Sequence, residues 1–453
     1  MGYTTGMACR LATLLIILSP VGVSVDARAD DVLWTAPDVY AEQAAAAVVD
    51  KGEAARLLAQ AQRAADAGDV ATALERATQA LAYDPDEPTC RRVLGYQRVG
   101  KEGVAGGWLT AFQAKQARRG YAWDTRYGWV KPADLPRYEA GERRDGRRWL
   151  SAEEDAARHA TIATGWQVRT DHFVVTTNHS LQAAAGLAAE LERLMQVWRQ
   201  RFAGYSLSAA EVRERFAGTR TPRGQPRPFS VVYHRDKAGY TAALRHKQPR
   251  VGETLGIYFD DLREAHFYAD PEADPAAQRA TLYHEATHQL FRETRRGRGT
   301  AGAQNNFWAV EGVALYLESL TPLGGGRYAI GRPDGGRLPA ARRRLLRDGY
   351  LTPLAEMASL GRLDLQRRED LAPLYSQMAG VATFLMQADG GRRRAAFVGY
   401  LRDLYAGKTR SDSLWRAIGA SPDQTLAEYR QWQLDLAAAE AATTLTPAGA
   451  TSR

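Results

Sequence analysis

The sequence predicts an α+β protein, and three features carry that expectation. Residues 167–177 and 229–233 are rich in β-branched and aromatic side chains and read as strands. Apolar residues at helical spacing run through 182–202, 274–297 and most of 338–432. An Ala-rich stretch of helical period, about 40–100, precedes them. The expected main domain is a twisted sheet from residues 167–268, packed on the helix that follows, with a helical C-terminal lobe closing a cleft.

The N-terminus reads as an address and not as part of the fold. Arg10 precedes the apolar run Leu11-Ala-Thr-Leu-Leu-Ile-Ile-Leu18, and Ala27 and Ala29 are small residues at the two cleavage positions. Residues 1–29 are therefore expected to be a secretory signal cleaved after Ala29, placing the mature chain outside the cell or in a periplasm. The run is too short for a stable membrane span, though an uncleaved anchor is the competing reading, and no other stretch approaches membrane length. Cleavage would remove Cys9 and leave Cys90 alone, which excludes an intramolecular disulfide and a thiolate zinc site.

The remainder, at 453 residues in all, accommodates a full-sized catalytic domain and a smaller one. A composition of 45% hydrophobic and 25% charged residues is that of a soluble globular protein. The formal charge of +8 comes from scattered arginines, with no basic stretch interleaved with aromatics, so nucleic-acid binding is not expected.

Residues 30–100 form the first segment. Within it, 64–85 resembles a tetratricopeptide repeat, with Gly68 at the turn, Ala73 and Leu74 in the second helix and Asp84-Pro85 at its end. One repeat, or one and a half, is short of the three units a free-standing solenoid needs. It fits an accessory cap better than a peptide-binding array, and a protein partner on these helices is the second reading. Residues 101–165 are a linker or small β region, in which Gly106-Gly-Trp108, Tyr127-Gly-Trp-Val130 and Gly146-Arg-Arg-Trp149 suggest short strands and glycine turns. Packing is a better account of these tryptophans than ligand stacking.

The domain proper is expected over 166–436. His172 and His179 have no partner at metal-binding spacing and are read as structural. The Arg-, Pro- and Gly-rich stretch 217–228 reads as a surface loop. Residues 255–259 and 265–268 flank Asp260-Asp-Leu-Arg-Glu264 as a candidate hairpin, and one of its strands is expected to form the upper rim of the cleft. Gly324-Gly-Gly-Arg327 lacks the Lys-Ser/Thr of a phosphate loop and is a plain loop. Residues 437–453 are expected to be a flexible tail.

The chemistry lies in His284-Glu285-Ala286-Thr287-His288. Asp274 suits the N-cap of the surrounding helix, Pro275 its first position and Gly297 its end. Residues four apart lie about 40° apart around a helix, so both imidazoles can reach one metal while Glu285 lies beside them. Trp308-Ala-Val-Glu-Gly-Val-Ala-Leu-Tyr316 follows as a second helix, opened by Asn305 or Asn306 and closed before Pro322. Gly312 inside it costs about 1 kcal/mol against Ala, so close packing on the first helix is expected, which would bring Glu311 to the metal. Two histidines, a carboxylate and an open position make a catalytic Zn2+ site.

An H-E-x-x-H motif followed by E-G-x-A on a second helix resembles the gluzincin zinc metallopeptidases. The stretch from Trp166 to Trp432 is similar to a secreted bacterial branch of that superfamily, including His172-Phe-Val-Val-Thr-Thr-Asn178 and Tyr375-Ser-Gln377. The resemblance implies a zincin-like fold, hydrolysis of a peptide or protein substrate, His284, His288 and Glu311 as ligands, and Glu285 as general base. It also implies Tyr375 as donor to the oxyanion, with Tyr316 and Tyr350 as competing candidates. Two departures stand out. No G-x-M-E-N-like segment precedes the motif, and position 315 is Leu where several members carry an acid, leaving Glu318 as the nearest acid on that face. Two other classes stay open: a zinc hydrolase of a non-peptide amide such as a cell-wall crosslink, and a non-catalytic scaffold with structural zinc.

Overall fold

A computed structural model describes residues 32–41, 49–100, 107–222, 224, 227–295 and 300–445. The expected signal segment, Gly297 and the end of the tail lie outside these residues. The described chain is α+β and divides into two units, one of residues 34–294 with 324–327, the other of 32–33, 295–323 and 328 onward.

Strand β1 (Val32–Trp34) precedes the first unit's helices α1 (Lys51–Ala67) and α2 (Val70–Tyr83). Asp50 and Asp69 cap their N-termini through Glu53 N and Thr72 N, and Gly68 ends α1 at φ 81°, a left-handed conformation that glycine adopts without strain. This is the expected helical hairpin, and α3 (Pro88–Leu94) adds a half-unit. The helices are not free-standing. Val70, Ala73, Leu74 and Val93 share a buried cluster with Ala203 and Val212, because a single pair cannot cover its own apolar face.

The next segment repeats one small motif three times. Strand β2 (Gln97–Arg98) pairs antiparallel with β3 (Trp108–Leu109), followed by α4 (Ala111–Arg118). Strands β4 (Ala122–Asp124) and β5 (Gly128–Val130) precede α5 (Leu135–Glu139), and β6 (Glu142–Asp145) and β7 (Arg148–Ser151) precede α6 (Ala152–Arg158). Trp108-Leu109, Trp129-Val130 and Trp149-Leu150 each lie on the second strand of a hairpin. Thr110 and Ser151 form capping boxes on the first and third helices. The tryptophans pack: Trp129 meets Tyr40, Phe112 and Trp123 edge-on, and the Arg137 guanidinium covers Trp149 at 4.1 Å.

Residues 167–177 are not one strand. The chain turns at Thr170–His172 to give the antiparallel pair β8 (Trp166–Arg169) and β9 (Phe173–Thr177). Helices α7 (Leu181–Arg201), α8 (Ala203–Ser206) and α9 (Ala209–Phe216) follow, then β10 (Phe229–His234), α10 (Lys237–Leu244) and the hairpin β11 (Gly256–Phe259) and β12 (Glu264–Tyr268). The sheet order is β11-β12-β10-β9-β8, with β10 parallel to β9 and β12, and β11 antiparallel to β12. The hairpin expected between 255 and 268 thus forms, and it puts β11 at the sheet edge.

Helix α11 (Pro275–Thr294) starts where expected: Asp274 accepts from Ala276 N at 3.2 Å, and Pro275 fills the first position. Its far end is clamped by aromatic edges, Phe291 packing at 4.9–5.5 Å on Trp198, Phe202 and Tyr205, whose hydroxyl donates to Phe291 O at 2.6 Å. Gln289 Nε2 donates to Ser230 O at 3.0 Å, joining the helix to β10.

The second unit is helical apart from short strands. Its elements are α12 (Phe307–Glu318), β13 (Thr321–Gly324), β14 (Arg327–Ala329), α13 (Leu338–Arg347), α14 (Leu354–Ser359), α15 (Arg362–Gln366), α16 (Leu371–Gly391), α17 (Arg394–Tyr405), α18 (Ser413–Ile418) and α19 (Pro422–Leu445). Every residue of α12 is buried, as its nearly unbroken apolar sequence requires. Asn306 precedes it at φ 60°, but its side chain caps no amide and donates instead to Arg410 O at 2.9 Å. Gly312 does pack closely, on α16: a Cβ there would lie 3.2 Å from Ala382 Cβ and 3.3 Å from Met378 O. Helix α19 continues past residue 436, so the expected tail begins as helix. No described helix is long and apolar enough to cross a membrane.

Candidate metal centre

Helix α11 places His284 and His288 one turn apart, both half-buried, and aims their Nε2 atoms at one point, 3.2 Å from each other. Two imidazole nitrogens bound to one tetrahedral zinc at about 2.0–2.1 Å would be about 3.3 Å apart. A ligand atom of each histidine and a carboxylate oxygen of Glu311 lie within 4.8 Å of one another. The donor set, two neutral imidazoles and a carboxylate, suits zinc. Cys90 contributes nothing: it is fully buried, and burial pushes its thiol far above its ordinary value.

Glu285 is buried at 6% exposure on the same helix, and its Oε2 accepts from Tyr258 N on edge strand β11 at 2.9 Å. Strand β11 is therefore the hairpin strand beside the motif. A second tie holds it there. Glu293, two turns along α11, takes the Arg263 guanidinium at 2.7 Å and Gln289 Nε2 at 2.9 Å, while the Tyr258 hydroxyl approaches it at 3.5 Å. Arg263 closes the hairpin at φ 58°. Neither Tyr258 nor the Arg263–Glu293 pair was legible beforehand, since a backbone donor carries no residue signature and the pair spans 30 positions.

The other singled-out residues fall as follows. Tyr375 is half-buried in the first turns of α16, a helix that packs on α12, and the Arg337 guanidinium lies 6.0 Å from its ring centre. Arg337 also donates to Glu318 at 3.0 Å, so that acid, 8% exposed, engages an arginine. Tyr350 is committed elsewhere: its hydroxyl donates to Asp370 at 2.7 Å and accepts from Thr352, and burial pushes its pKa up to about 12. Tyr316 is fully buried. His172 is held by Glu192, as described below, and His179 contacts Ser180 at 3.1 Å.

Comparison with protein-family models and with proteins of curated function finds no match.

Proposed function

We propose that the protein is a zinc-dependent metallopeptidase of gluzincin type, with a zincin-like fold, that cleaves peptide bonds in a secreted or periplasmic setting. The reading is carried by the grouping of His284, His288 and Glu311 around one point, with Glu285 buried next to the first histidine. Zinc held by those three side chains would supply a Lewis acid that acidifies a water and polarises a carbonyl oxygen. Glu285 takes the proton of the attacking water and passes it to the leaving amine. The Tyr258 amide restrains the rotation of the Glu285 carboxylate. Edge strand β11 would receive an extended substrate through backbone hydrogen bonds.

The test is cleavage of casein or a peptide library by the zinc-loaded protein, with products read by mass spectrometry. Activity should vanish on chelation and return with added zinc. Cleavage of cell-wall crosslinks alone would move the reading to an amide hydrolase, and no cleavage of either would leave a scaffold.

Tyr375 is assigned the oxyanion role on the resemblance, supported by its place on a helix packed against α12 and by the engagement of Tyr350 with Asp370. Tyr375→Phe keeps the ring and removes one donor, so turnover should fall by about 10²–10³ with zinc content and melting temperature unchanged. Turnover equal to the parent's would return Tyr375 to a packing role.

A further inference from the structure

A cavity lies in the first unit, where α2 and the 36–40 segment meet α7. It encloses about 60 Å³ and is lined by both acids and arginines. Its three carboxylates are already satisfied without an arginine. Asp38 accepts from Tyr40 N at 2.9 Å, Gln196 at 3.0 Å and Tyr96 at 3.3 Å. Asp171 accepts from Tyr40 at 2.8 Å, Gln113 at 3.2 Å and the Thr110 hydroxyl. Glu192 takes both His172 N and His172 Nδ1 at 2.7 Å.

The cations are not satisfied in return. Arg199 on α7 and Arg215 on α9 both line the cavity, and among the described residues neither forms an ion pair. With Nδ1–H directed at Glu192, His172 presents Nε2 as an acceptor to Arg199 Nη1 at 3.3 Å. Arg215 is 6% exposed, reaches only Val93 O at 3.5 Å, and its Nε has no partner. Arg199 is half-buried and attracted by Glu192 and Asp171, whereas Arg215 is buried beside a second cation with its Nε unpartnered, an arrangement that an added anion would relieve.

We infer that this cavity binds one small oxyanion, a carboxylate or phosphate group, between the guanidinium groups of Arg199 and Arg215. The volume agrees, since a site of this measure takes about four waters or one oxyanion of four or five heavy atoms. Planar guanidinium forks match such groups geometrically. Burial, with repulsion from Asp171 and Glu192, pushes Asp38 up to about 7, so part of it is neutral near neutral pH and opposes an anion less. The site is independent of the metal centre and of the peptidase reading.

The test is calorimetric titration of the full-length protein with inorganic phosphate and, separately, with acetate, at constant ionic strength. Saturable binding of one equivalent of at least one anion is expected, and the arm that binds identifies phosphate or carboxylate as the source. Arg215→Gln and Arg199→Gln should each weaken it at least tenfold. In buffer free of both anions Arg215→Gln should melt no lower than the parent, because a partnerless charge has gone. Binding of neither anion by the parent, undiminished binding by both variants, or a lower melting temperature of Arg215→Gln in that buffer would each overturn the inference.

Discussion

Replacing Glu285 by Gln is expected to leave close to one equivalent of zinc bound while peptide hydrolysis falls by about 10²–10⁴ or more. Glutamine has nearly the shape of glutamate, and its amide oxygen can still accept from Tyr258 N, the 2.9 Å bond that ties β11 to α11. The substitution therefore removes the base without releasing the edge strand. Glu285→Ala would do both and could not separate the two effects. Zinc content by metal analysis and turnover on a cleaved library peptide make the measurement. Unchanged turnover would take Glu285 out of the chemistry, whereas lost zinc would mean that it serves as a ligand.

His288→Ala should lose the metal itself, and with it all hydrolysis above background. Two ligands hold zinc far less tightly than three, so mild dialysis should take the variant from near one equivalent to a small fraction of it. The fold should survive, because His288 is only half-buried and α11 is anchored independently through Phe291, Gln289 and Tyr283, whose hydroxyl donates to Glu190. Circular dichroism checks that point. A full equivalent of zinc retained by the variant would sink the ligand assignment.

The local pattern around the motif was legible because its causes are local. Asp274 and Pro275 set the start of α11, four-residue spacing put both imidazoles on one face, and the aromatic runs at 255–259 and 265–268 folded as the expected hairpin. Reading at a distance failed in particular ways. Gly312 signalled close packing correctly, but the neighbour is α16, and nothing in a glycine names its partner. Asn306 was legible as a helix opener, yet its side chain turns to Arg410 O, 104 residues away. The short strands and glycine turns at Trp108, Trp129 and Trp149 were legible, but the helix after each hairpin was not, because the copies share little beyond a Trp-aliphatic pair.

By itself the sequence determined the α+β class, a helical hairpin turning at Gly68 within 64–85, and the candidate ligands His284, His288 and Glu311 with Glu285 beside them. These follow from residue type and spacing within a few turns, where covalent geometry leaves little freedom. Only the tertiary structure decided that β11 is the sheet edge and that its Tyr258 amide holds Glu285. It alone placed the N-terminal helices in the same unit as the sheet, and enclosed Arg199 and Arg215 in one cavity without an ion pair. Those outcomes depend on which apolar faces find each other and on backbone groups that every residue carries alike, so no residue type announces them.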